Sequence, residues 1–258
     1  FSVGDYEPDI SVQLWKYYVD DFDIYLIHPD GTTVGPVNPV SGTQRYSLPG
    51  TDLLVYYGMP SPYAITQEVF FDFIPGLNQD YIPSGIWTFR LEPRRIVQGP
   101  YNFWLPSGGY VGTSTRFLTP FADTTLTIPS TALRAITVGA YDSRLLTYAD
   151  FSGRGYTRII VTEKPDIVAP GVRVTAPSSL GGTPYGEYTG TSFATPFVTG
   201  SAALMMEWGI IRGNDAFLYG EKVKAYLRRG ARSLPGFSIY PNPQVGFGAL
   251  CLRDSIPR

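Results

Sequence analysis

Up to about residue 125 the chain is cut into short apolar and β-branched runs by turns bearing glycine and proline, and none of the intervals carries a helical pattern. The runs are 11–19, 22–28, 52–57, 66–74, 85–91 and 101–105. In the fifth, Trp87, Phe89 and Leu91 alternate with Ile86, Thr88 and Arg90, the period of two expected of a half-buried strand. Pro29-Asp30-Gly31, Leu48-Pro49-Gly50-Thr51 and Ile74-Pro75-Gly76 supply turn chemistry, with proline fixing φ and glycine accepting positive φ. Residues 1–125 are therefore expected to form an all-β antiparallel sandwich or jelly roll.

Residues 126–258 change character. The segments 134–140 and 159–162 read as short buried strands, and 165–169 leads into Pro170-Gly171. A helix of small residues is expected over 192–208. A second is expected over 221–229, with Val223, Tyr226 and Leu227 on its apolar face, Lys222, Lys224, Arg228 and Arg229 off it, and Gly230 as a left-handed cap. Strands followed by helices indicate α/β. Charge divides at the same place: 6 Lys+Arg against 13 Asp+Glu before residue 126, 14 against 9 after it. The division predicts two domains, 1–125 and 126–258.

Several function classes fall away. A net charge of −2 offers no basic excess for phosphates, so nucleic acid is not an expected partner. No apolar run approaches the ~20 residues of a membrane span. One cysteine, Cys251, excludes an internal disulfide framework and reads as a packed thiol; one histidine, His28, excludes a multi-histidine metal site. His28 sits before a tight turn and is expected at the surface or a strand edge. Asp20-Asp21-Phe22-Asp23 lacks the alternating ligands of a calcium loop and reads as a solvated strand connection; no cofactor is called for, with a structural calcium left as the alternative. The opening Phe1-Ser2-Val3-Gly4 has neither an initiator Met nor a charged leader and reads as an internal start.

The chemistry concentrates in Gly190-Thr191-Ser192-Phe193-Ala194-Thr195-Pro196-Phe197-Val198-Thr199-Gly200-Ser201-Ala202-Ala203-Leu204. Thr191 is a good N-cap, and Ser192 opens the helix where free N–H groups and the positive dipole end suit a developing oxyanion. Pro196 falls within the first turns, where a missing donor is expected to cost least. The segment resembles the nucleophile segment of subtilisin-like serine proteases, departing at Phe197, where many subtilisins carry His. Ile136-Thr137-Val138-Gly139-Ala140, Phe151-Ser152-Gly153-Arg154-Gly155, Lys164-Pro165-Asp166-Ile167-Val168-Ala169-Pro170-Gly171 and Gly246-Phe247-Gly248-Ala249-Leu250 stand in that family's order as well.

That resemblance implies a subtilisin-like α/β catalytic half, incomplete within 126–258, with Ser192 as nucleophile and oxyanion donor and a peptide as substrate. The family's Asp and His, and the Asn of its oxyanion hole, would precede Ile136, yet the sequence there holds the sandwich instead. A jelly roll ahead of the serine segment is similar to the germination-specific Csp proteases of spore-forming bacteria. By that analogy the missing groups lie on an N-terminal segment of the same protease, and the protein is extracellular or spore-associated. This chain alone is then expected to be inactive. Lys16, Lys164, Lys222 and Lys224 offer no motif for a serine–lysine dyad. A pseudoprotease scaffold, or a sandwich that binds a glycan or partner, stands as the alternative.

Overall fold

Alternation of buried and half-exposed residues along Ile10–Tyr17 and Thr66–Pro75 leaves each strand with one face for a core and one for solvent. In the computed structural model, which describes residues 1–258 except 60, 107–108, 158–162, 180–181, 183 and 258, this pattern builds the first of two compact units, Phe1–Pro120 and Phe121–Arg258. The expected strand 159–162 lies outside the described residues.

The first unit contains β1 (Ser2–Val3), β2 (Ile10–Tyr17), β3 (Asp21–Ile27), β4 (Thr33–Val34), β5 (Gly42–Leu48), β6 (Thr51–Tyr57), β7 (Thr66–Pro75), β8 (Gly85–Ile86), β9 (Thr88–Arg95) and β10 (Tyr101–Trp104). Five strands form one sheet in the order β10-β2-β7-β6-β5, three form another in the order β4-β3-β9, and β1 pairs with β8. Every described pairing in this unit is antiparallel. Val12, Leu14, Leu53, Val55, Phe71 and Phe73 of the larger sheet share one core with Ile24, Leu26 and Phe89 of the smaller. Phe71 meets Phe89 across it at 4.8 Å between ring centroids. Burial of each such side chain stabilises the sandwich by about 1.5–3 kcal/mol.

Two expectations for this unit need correction. Asp20 is not a solvated connection: only 1% of it is exposed, and its carboxylate accepts the N–H groups of Val97, Gln98 and Gly99 at 2.7–2.9 Å. Burial pushes that carboxyl up, but the N–H groups and neighbouring Lys16 outweigh it and hold it below the usual carboxylate range. His28 is not at the surface either, being 6% exposed and edge-on to Trp87 at 4.7 Å. The Pro29-Asp30-Gly31 turn folds back over it, so that Nδ1 lies 2.8 Å from Asp30 Oδ1.

The second unit contains β11 (Val138–Asp142), β12 (Thr147–Tyr148), β13 (Gly155–Tyr156), β14 (Glu163–Lys164), β15 (Ile167–Pro170), β16 (Val174–Pro177) and β17 (Tyr185–Tyr188), then α1 (Thr191–Met206), α2 (Gly220–Arg229) and α3 (Leu252–Ser255). β11 and β15 run parallel, Val138 opposite Ile167 and Ala140 opposite Ala169. Helix α1 buries Ala194, Val198 and Met205 in one core with Ala140, Ile167 and Ala169. A π-helical turn, Glu207–Ile211, continues α1.

Here too the structure departs from expectation. The strand expected from residue 134 begins at Val138, because the carbonyls of Ala132, Leu133 and Ala135 turn to accept the ammonium groups of Lys164 and Lys224. Lys224 is buried rather than set off the apolar face. Gly230 has φ −88° and is no left-handed cap; a Cβ there would stand 2.3 Å from the Ser255 backbone nitrogen, so close approach of α3 is what requires glycine.

Candidate active site

The end of β15 sets the position of the candidate nucleophile. Gly171 accepts the Gly190 N–H at 2.8 Å, and a Cβ on Gly171 would lie 2.6 Å from Ala140 Cβ and 3.0 Å from the Gly190 carbonyl. Only glycine lets the loop before α1 approach β11 this closely. Gly190, at φ +152°, is the N-cap residue, without a side-chain cap. Thr191, expected as the cap, is instead the first residue of the helix.

Ser192 is exposed at the second helical position, and no partner for its hydroxyl occurs among the described residues. Its N–H belongs to the four at a helix start that have no intrahelical acceptor, directed where the macrodipole favours negative charge. Phe193, next in sequence, stacks on Tyr188 of β17 at 5.0 Å and 14°. Pro196 lies beyond the first four free donors, so its missing N–H does remove a helical bond, the one to the Ser192 carbonyl. The opposite face of α1 carries exposed Phe197 (43%), Leu204 (53%) and Met206 beside Thr199, Gly200 and Ala203.

The other motif segments converge around this framework. Ser152 Oγ accepts the Ala140 N–H at 3.0 Å. The closing Gly246-Phe247-Gly248 segment runs against β15, where Phe247 N–H donates to the Asp166 carbonyl and Val168 N–H to that of Gly248. A Cβ on Gly246 would stand 2.1 Å from the Pro165 carbonyl oxygen.

The lysines are committed elsewhere. Lys164 donates to the carbonyls of Ala132 and Ala135 at 2.9 and 2.8 Å, to Thr137 Oγ1 at 2.7 Å and to Asp166. Burial lowers its ammonium against the upward pull of Asp166. Lys222 pairs with Asp215. The sequence missed the hub at Asp166, whose carboxylate gathers Lys164, Lys224, Arg228 and the Thr137 N–H; the signal was the paired Lys164 and Asp166 within one motif. His28 belongs to the sandwich. Its Nδ1 lies 2.8 Å from Asp30 Oδ1 and accepts the Asp30 N–H at 3.1 Å, and Nε2 is buried without a partner among the described residues.

A model of the subtilase family matches residues 118–248. The chain is similar to serine protease AprX of Bacillus subtilis, 32% identical over 152 residues, which are 52% of this chain and 32% of that protein. Over 82 residues it is 39% identical to the subtilase-type proteinase RRT12 of Saccharomyces cerevisiae, 32% of this chain and 15% of the relative. The solved structure of the Clostridium perfringens CspB protease matches with a TM-score of 0.85 at 35% identity, over 98% of this chain and 52% of that one. The chain thus spans about half the length of CspB and about a third of AprX.

Proposed function

The chain belongs to the subtilase family, and from that premise we propose that it is the serine-bearing portion of a subtilisin-like endopeptidase in which Ser192 is the nucleophile. The observation that carries this reading is an exposed serine at a helix start, its own N–H free, directly after a loop anchored to the end of a parallel strand. In the reaction, Ser192 Oγ gives its proton to a base as it attacks the scissile carbonyl of a peptide, and the Ser192 N–H donates to the resulting oxyanion. The leaving amine departs with a proton supplied by the base, and water then releases the acyl group.

The base, its orienting carboxylate and the second oxyanion donor come, in this reading, from an N-terminal segment of the same protease. Two features support it. His28 is held by Asp30 and Trp87, and the lysines of the second unit are engaged by carbonyls and carboxylates. The apolar and small-residue face of α1 is the seat for that segment, since exposed Phe197 and Leu204 gain by burial. The sandwich is then a jelly-roll domain inserted ahead of the serine segment, and the enzyme an extracellular or spore-associated one. Among the described residues no helix is long and apolar enough to cross a membrane.

The test is labelling with a fluorophosphonate probe, of the chain alone and after refolding with the N-terminal half of the protease. The expected outcome is negligible labelling alone, strong labelling in the mixture, and none in a Ser192→Ala mixture. Strong labelling of the lone chain refutes the need for outside residues. A mixture that associates yet stays unlabelled points instead to a pseudoprotease.

A further inference from the structure

The alternation that buries Ile10, Val12 and Leu14 puts Ser11 and Gln13 on the other side of the strand, about 7 Å apart, with Asp9 just ahead of it. Trp104 of β10 lies opposite Gln13 in the antiparallel register. These four residues and Tyr110, which is 82% exposed, line a groove of about 410 Å³ in the sandwich unit. With Leu105, Pro106 and Val111 completing it, the lining combines two aromatic rings and three aliphatic side chains with a carboxylate, a hydroxyl and an amide, and among the described residues contains no lysine or arginine.

That combination narrows the ligand. An anion would meet Asp9 with no compensating cation. A wholly apolar ligand would strip water from Asp9, Ser11 and Gln13 and leave them unpaired. A pyranose ring meets both demands: its C–H faces pack on indole and phenol rings, while its rim hydroxyls donate to Asp9 and exchange hydrogen bonds with Ser11 and Gln13. The volume lies toward the lower end of the range of small-molecule pockets, about 300–1,000 Å³, enough for one or two such rings. We propose that this groove is a binding site for a neutral saccharide, which would tether the protein to a glycan independently of the chemistry at Ser192. An organic cation would use Asp9 and the rings but leave the neutral pair Ser11 and Gln13 idle.

The experiment titrates the full chain with cellotetraose, chitotetraose and xylotetraose, read by tryptophan fluorescence and by saturation-transfer NMR, with tetralysine as the cationic competitor. Saturable binding of at least one sugar below roughly 10 mM is expected. Tyr110→Ala and Asp9→Asn, both at exposed positions, should each weaken it by about tenfold, whereas Tyr63→Ala, at a still more exposed ring outside the groove, should leave it unchanged. Failure of all three sugars to saturate, binding indifferent to both groove variants, or tetralysine binding in their place would each overturn the proposal. None of these readouts involves Ser192, so the proteolytic reading stands or falls separately.

Discussion

Lys164 Nζ lies 3.2 Å from Asp166 Oδ2, and neither side chain is more than 1% exposed. The same carboxylate takes Lys224 at 3.1 Å and Arg228 Nε at 2.9 Å, besides the Thr137 N–H at 2.6 Å. One buried anion thus serves three cations, and the carbonyls of Ala132, Leu133 and Ala135 take up the donors that remain. Three parts of the unit meet there: the approach to β11, the start of β15, and α2.

Asp166→Asn should therefore cost more than a lost hydrogen bond. It leaves two buried lysines and a partly buried arginine facing a neutral amide, and breaking a buried pair on one side typically costs about 3–5 kcal/mol. Urea unfolding followed by Trp208 fluorescence is expected to show a loss of that order in the second unit. A change below about 1 kcal/mol would mean that the carbonyls alone neutralise the cluster.

Much of the strand framework is legible in the sequence wherever burial is one-sided. Trp87, Phe89 and Leu91 alternate because one face of that segment meets the core. β5 (Gly42–Leu48) escapes such a reading: it is an edge strand whose Thr43, Arg45 and Ser47 all face water, so no apolar alternation marks it. The position of Ser192 at a helix start is legible because the residues around it are constrained by helix thinness and loop approach, which leave a long unbroken motif. Lys224 and Asp20 are not, since a charged residue reads as solvated until its partners, distant in sequence, are known.

Acid titration of the sandwich should expose Asp20. Its folded carboxyl is held below the ordinary value, so its contribution is fully present above the unfolded value of about 3.9 and is lost as pH falls through the lower folded one. Asp20→Asn should lower stability at neutral pH and flatten the acid limb of a plot of urea midpoint against pH, the two proteins converging at the lowest pH. Trp15, Trp87 and Trp104 report on this unit. Parallel acid limbs in the two proteins would show that the N–H groups of Val97, Gln98 and Gly99 contribute nothing through its charge.

Gly171→Ala separates positioning from stability. The added methyl would overlap Ala140 Cβ at 2.6 Å and crowd the Gly190 carbonyl at 3.0 Å, so the loop carrying Ser192 must move away from β11. Overpacking of this kind costs about 1–3 kcal/mol. Labelling of Ser192 in the reconstituted enzyme should fall by about tenfold or more, since misplacement on the scale of an ångström is costly to a nucleophile. Unchanged labelling kinetics in a protein destabilised by that amount would show that the contact serves packing alone.

Gly200→Ala tests the seat proposed on α1. Gly200 is exposed in the middle of the helix, and a Cβ built there meets nothing within 4 Å. In the lone chain, then, alanine has only its helix preference to express, a gain of about 0.5–1 kcal/mol over glycine. The reading of α1 as the docking face for an N-terminal half makes the opposite demand of the assembled enzyme. There the small residues Gly200 and Ala203, flanked by Phe197 and Leu204, would lie at a close-packed contact, and a new methyl would hold the halves apart. The expected result is a chain that melts slightly higher on its own but captures the N-terminal half with about tenfold lower affinity or worse. Because the variant is more stable, weakened capture cannot be blamed on unfolding. Capture as tight as that of the unaltered chain would remove this face of α1 as the seat, whatever the outcome at Ser192.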